Sequence, residues 1–145
     1  MSLRYLNLMV SFLIFMISVF LTSGAFAAQA SCYKDMDVLR EAARLQPKGS
    51  ALNQAIQIFN DGPYRGSVFG DDADAIFTEP RGTILLTLAW LDGTAPHLLT
   101  LNVCEKDGKL SATDQNGRTF SLKTTGDKLI IRFGFFSSTF TRLNR

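Results

Sequence analysis

The chain has 145 residues, 46% of them hydrophobic and 19% charged, with a net charge of +2 and a single histidine. That size supports one core without division into domains. One histidine excludes a histidine-rich metal centre, and the near-balanced total charge carries no information by itself.

Residues 1–30 predict a cleaved signal peptide. Arg4 supplies the charged end, an apolar run extends from Tyr5 to about Leu21, and Ala25, Ala27, Ala28 and Ala30 offer small residues to a signal peptidase. Cleavage is expected after Ala27 or Ala30. A retained anchor is the main alternative, since Tyr5 to Thr22 is nearly long enough to cross a bilayer, although no Lys or Arg follows closely as a stop. Lipidation at Cys32 would need a Leu three positions upstream, where Gln29 stands. The mature protein is therefore expected in the periplasm or outside the cell, with no membrane span.

Residues 31–145 read as a single α+β domain. Cys32 and Cys104 are the two cysteines, and in an oxidising compartment such a pair forms a disulfide, the alternative being two buried thiols. Closing the loop between them restricts the unfolded chain by roughly 4 kcal/mol in the entropy model.

The first helix is predicted over Asp35 to Gln46, with Met36, Leu39, Ala43 and Leu45 near one side and Pro47-Lys48-Gly49 as the stop. Ser50 then caps a second helix through Leu52, Ala55, Ile56 and Phe59, which ends at Asn60-Asp61-Gly62-Pro63. After Pro63 the period changes to two. Strands are predicted at Tyr64 to Phe69, Ala75 to Glu79, Thr83 to Asp92, His97 to Lys106, Lys109 to Asp114, Arg118 to Thr124, Asp127 to Phe136 and Thr139 to Leu143. Joints this short impose antiparallel pairing.

The turns allow register to be argued. Asp107-Gly108 as a two-residue loop sets Val103 opposite Ala112, and Gln115-Asn116-Gly117 as a three-residue loop sets Ala112 opposite Phe120 and Leu110 opposite Leu122. A turn over Thr124 to Asp127 places Leu122 opposite Leu129, Phe120 opposite Ile131, and Lys123 opposite Lys128. One apolar face gathers Ile84, Leu86, Leu88, Trp90, Leu99, Leu101, Val103, Phe120, Leu122, Leu129, Ile131, Phe133 and Phe135. The other face carries Leu85, Ala89, Leu91, Leu98 and Cys104, which predicts that the helices cover that side. The expected architecture is two N-terminal helices on a curved antiparallel β-meander of about six to eight strands, or a partly closed barrel. In shape it resembles lipocalin-like and small periplasmic inhibitor barrels, without any family motif.

Charge is polarised along the chain. Asp61, Asp71, Asp72, Asp74, Glu79, Asp92 and Glu105 precede Lys106, Lys109, Arg118, Lys123, Lys128, Arg132, Arg142 and Arg145. Lys123, Lys128 and Arg132 share one outward face and are the candidates for contact with a partner. Asp71, Asp72 and Asp74, with Glu79 nearby, are the only carboxylate cluster to test for a metal, and they lack the later ligands of an EF-hand loop. A solvated acidic loop is the plainer account.

Catalytic patterns are missing: no Gly-x-Ser-x-Gly elbow occurs, no glycine-rich loop precedes a helix, and His97 follows Ala95-Pro96 in a turn or packing role. Aromatic residues fall on the inward side of strands, as core and not as a base-stacking platform, so no nucleic-acid partner, cofactor or enzymatic activity is expected. The leading expectation is an exported non-catalytic binding or inhibitor-type protein that contacts another macromolecule, a protein or an anionic envelope component. The alternative is a carrier of a small apolar ligand. The two differ in whether the inward Phe and Leu side chains interlock or line a void on the order of several hundred Å3.

Overall fold

A computed structural model describes residues 29–144. The apolar run, its expected cleavage after Ala27 and the alternative anchor lie outside the described residues. Among the described residues no helix is long and apolar enough to cross a membrane.

Helix α1 (Met36–Arg44) starts where Asp35, in extended conformation, accepts hydrogen bonds from the Asp37 and Val38 amides at 2.9 and 3.1 Å. Met36, Leu39 and Ala43 are buried, but Leu45 is exposed because the helix stops one residue before it. Helix α2 (Ala51–Asp61) begins at the expected cap, with the Asn53 amide donating to Ser50 Oγ. Asn53 Nδ2 also donates to the carbonyls of Ala43 and Pro47, at 3.1 and 3.0 Å, and so fixes the turn between the helices. Ile58 enters the core, whereas Ile56, expected there, is only half-buried.

Ten strands form one antiparallel sheet: β1 (Ser31–Tyr33), β2 (Tyr64–Val68), β3 (Asp71–Thr78), β4 (Leu85–Trp90), β5 (His97–Thr100), β6 (Asn102–Lys106), β7 (Lys109–Thr113), β8 (Thr119–Thr125), β9 (Lys128–Phe133) and β10 (Phe136–Arg142). The order is β1-β6-β7-β8-β9-β10-β2-β3-β4-β5. The expected six to eight strands become ten for two reasons. Residues 31–33 add an edge strand, and the segment 97–106 breaks at Leu101 into β5, paired with β4, and β6, paired with β7. Leu101 itself donates its amide to the Ile84 carbonyl at 2.8 Å. Because β5 and β6 are consecutive, the two ends of the sheet are brought side by side. The right-handed twist of the strands then curls the sheet into a half-barrel.

The strand turns explain both the correct and the incorrect registers. Val103 pairs with Ala112, Ala112 with Phe120 and Leu110 with Leu122, as the Asp107-Gly108 and Gln115-Asn116-Gly117 loops require. Between β8 and β9 the pairing is instead Leu122 with Ile131 and Thr124 with Leu129, a shift of two. The loop there is Gly126-Asp127 alone, with Gly126 at φ 62° in the first position of a two-residue hairpin. A shift of two preserves the faces, so the inward residues stay inward, but Lys123 now lies opposite Ile130 and Lys128 opposite Thr125. Phe135 is the exception. Phe133 pairs with Phe136, which leaves Gly134 and Phe135 as the hairpin loop and the Phe135 ring fully exposed.

The concave face holds the core: Ile84, Leu86, Leu101, Val103, Phe120, Leu129, Ile131 and Phe140 are almost wholly buried, with Leu39, Ala55 and Ile58 of the helices in the same cluster. The helices therefore cover the inner face, contrary to the expectation that they cover the side of Leu91 and Leu98. Those two residues remain exposed on the outer face. Helix α2 crosses the end of the half-barrel near the β6–β7 turn, where Gln54 lies by Lys109, and reaches the end of β3, where Phe59 stacks on Phe77 at 4.9 Å. Ion pairs tie the helices to this end: Arg40 to Glu79 at 2.6 Å and Arg142 to Asp61 at 3.0 Å. The Tyr64 hydroxyl donates to the Ile58 carbonyl, and burial together with the Asp61 charge pushes its phenol up to about 12.

Cys32 and Cys104 are joined, at directly paired positions of β1 and β6 with Cα atoms 4.0 Å apart. The bond lies on the outer face and secures an edge strand, while α1 turns inward from it.

Candidate binding site at the open end of the half-barrel

The helices block one end of the half-barrel and leave the other open. Four turns surround the open end: β2–β3, β4–β5, β7–β8 and β9–β10. Alternation in the strands aims the last inward residue of each at this mouth. Val68, Leu88, Trp90, Leu99, Phe120 and Phe133 line a cavity of about 420 Å3, with Phe69, Asp71, His97, Asp114 and Arg118 at its rim. Phe120 and Phe133 pack with ring centres 5.2 Å apart, and Trp90 meets His97 edge to face at 5.5 Å.

The rim is unusually apolar for turn residues. Phe69 occupies a two-residue hairpin loop with Gly70, both at positive φ, and its ring contacts that of Phe136 edge to face at 5.3 Å. Phe69, Phe135 and Phe136 are all exposed. With their rings largely in solvent, these phenylalanines contribute little to folding.

The polar part of the rim is built by the β7–β8 loop. The Asp114 side chain is buried, and its carboxylate accepts from the amides of Asn116 and Arg118, each at 2.9 Å, and from Arg118 Nε at 2.7 Å. Burial alone would raise the Asp114 carboxyl, but the Arg118 and Asn116 hydrogen bonds and the Arg118 charge outweigh it and hold the group below the ordinary carboxylate range. Gln115 bridges from this loop to β5: its Oε1 accepts from the Thr100 amide at 2.8 Å and its Nε2 donates to the Leu98 carbonyl at 3.0 Å. A polar groove containing Lys34, Thr83 and Thr113 lies outside this seam, and the buried Asn102 Oδ1 there lacks a hydrogen-bond partner among the described residues.

The sequence-predicted candidates fall elsewhere. Lys123, Lys128 and Arg132 are all on the outer face of β8 and β9, where Lys109, Ser121, Lys123 and Arg132 border a groove of about 550 Å3. Among the described residues, none of Lys106, Lys109, Lys123, Lys128 and Arg132 forms an ion pair. Asp71, Asp72 and Asp74 do not converge as a loop: they open β3, where Asp71 points to the inner side, Asp72 to the outer, and Asp74 is held by Arg65 at 2.7 Å. Among the described residues no three side chains of metal-ligand type come together. His97 is exposed and stands against Trp90.

Sequence reasoning weighed Asp71 and His97 singly but did not bring the cavity rim together. A signal was present, because Phe69-Gly70 and Gly134-Phe135-Phe136 place large apolar residues beside turn-forming glycines. Comparison of the chain with known protein families, with curated proteins and with solved structures finds no match.

Proposed function

We propose that this chain is an exported, non-catalytic binding protein that holds a small apolar ligand in the open-ended cavity of its half-barrel. The observation that carries the reading is the cavity of about 420 Å3 walled by Val68, Leu88, Trp90, Leu99, Phe120 and Phe133. A mostly apolar recess with a few polar groups at one side is the common form of a small-molecule site. The carrier reading therefore takes precedence over contact with a macromolecule.

Trp90 is the only tryptophan and lines the cavity, so it reports occupancy directly. The neutral dye N-phenylnaphthylamine should bind saturably, with a rise in its own emission and energy transfer from Trp90. Leu88→Phe, which fills the recess, should weaken binding by about tenfold while the melting transition stays cooperative. Dye binding that does not saturate, or that is unchanged by Leu88→Phe, would remove the carrier reading.

A second reading is supported by the unpaired cations of β6 to β9. Lys123, Lys128 and Arg132, joined by Lys106 and Lys109, form a basic outer face in which none is ion-paired among the described residues. Such a face suits an acidic protein surface or an anionic envelope component. Replacing Lys123, Lys128 and Arg132 by Glu should abolish capture of that partner from an envelope extract without lowering the melting temperature, and capture by the unaltered protein should weaken as salt rises. Undiminished capture by the triple variant would dismiss the basic face.

A further inference from the structure

We propose that the ligand of the open-ended cavity is an anionic amphiphile, its apolar chain lying among Leu88, Trp90, Leu99 and Phe120 and its anionic head resting on the Nη nitrogens of Arg118. This assignment rests on the reading of the cavity as a ligand site.

Among the described residues Arg118 is the one cation on the cavity wall whose charge does not depend on pH in the ordinary range, and its Nε tethers it to Asp114. Of the five N–H donors of a guanidinium, the Nε donor is committed to Asp114 at 2.7 Å. Neither Nη nitrogen has a hydrogen-bond partner among the described residues. Asp114 is itself held by the Asn116 and Arg118 amides, so the planar fork is anchored from behind and presents its remaining donors at the rim. That arrangement matches a carboxylate or a phosphate, which accept two parallel hydrogen bonds.

The wall across the cavity strengthens the orientation. In the strand order β8 and β3 are separated by β9, β10 and β2, so Asp71 and Arg118 stand on opposite walls and form no ion pair. The Asp71 carboxylate is unpaired among the described residues and repels an anionic head from its own side, whereas on the opposite side the Asp114 carboxylate is paired with Arg118 Nε, which leaves the Nη face the less negative wall. Below the rim the recess is mostly apolar, with the Trp90 indole its one polar-bearing side chain, and a headgroup drawn deeper would lose most of its hydration.

The test uses N-phenylnaphthylamine displacement by decanoate, decanol, decylamine and acetate. Decanoate should compete about tenfold more strongly than decanol, and acetate, which has the head without the chain, should not compete. Arg118→Gln should reduce decanoate to the level of decanol and leave decanol itself unchanged. Arg118→Lys should keep part of the preference, which a merely structural role for the loop would not produce. Decanol or decylamine competing as well as decanoate, or a preference that survives Arg118→Gln, would overturn the assignment. Equal competition by decanol would leave the apolar cavity standing as a site, whereas failure of all three long-chain probes to displace the dye would overturn both.

Discussion

Cys104→Ser is expected to lower the unfolding free energy by about 2–5 kcal/mol, the largest effect of any single replacement outside the core. The bond closes a loop spanning a sequence separation of 72, so the unfolded chain regains much freedom when it is removed. A native-state loss adds to this. Strand β1 is three residues long and pairs only with β6, and without the covalent tie its pairing is no better than that of any short edge. Denaturant unfolding of the variant should show a lowered midpoint, and reduction of the unaltered protein should reproduce it. A midpoint equal to that of the oxidised protein would show that β1 is held by its hydrogen bonds alone.

Phe140→Ala should cost about 3–5 kcal/mol and Phe135→Ala less than about 0.5 kcal/mol. The two phenylalanines are five positions apart in the β9–β10 hairpin and differ as far as two residues can in environment. Phe140 is wholly buried, and its ring packs over Gly66, where an added Cβ would lie 2.8 Å from Phe140 Cδ1 and collide with the Thr139 carbonyl oxygen. No other residue type at position 66 admits that ring, so removing it opens a void that β2 cannot close. Phe135 sits in the loop with its ring in solvent. Comparable losses at both positions, measured by denaturant unfolding, would refute the hairpin register in which Phe133 pairs with Phe136.

Much of the concave face was legible in the sequence because its signal is periodic. Twelve of the inward assignments, from Ile84 to Phe133, survive even where the β8–β9 register was mistaken by two, since a period of two is blind to that error. Phe135 failed for the opposite reason: the alternation continues through Gly134 while the chain reverses. The first helix was found by its apolar spacing and the Pro47 stop and the second by its cap, Ser50, yet the face they cover was not. Leu91 and Leu98 asked for a cover that the structure does not give them, and local pattern has no means of telling which side of a curled sheet is concave. The mouth was illegible because Val68, Leu99, Phe120 and Phe133 come from four separate strands, and only curling of the sheet assembles them. The Asp114-to-Arg118 loop was read correctly as a turn, but its role in aiming a guanidinium depends on burial of Asp114.

The seam at Leu101 bears on how firmly the rim of the mouth is held together. Around most of the mouth neighbouring strands are joined by backbone ladders, but the β2–β10 ladder ends at Gly66 and Phe140, short of the opening. Between β5 and the β7–β8 loop the clasp is one side chain, Gln115, through two exposed hydrogen bonds, each contributing about 1 kcal/mol. This flank and the mouth end of the β2–β10 joint are the soft hems of the rim. Parting β5 from that loop costs these two side-chain hydrogen bonds and leaves every strand pair in place.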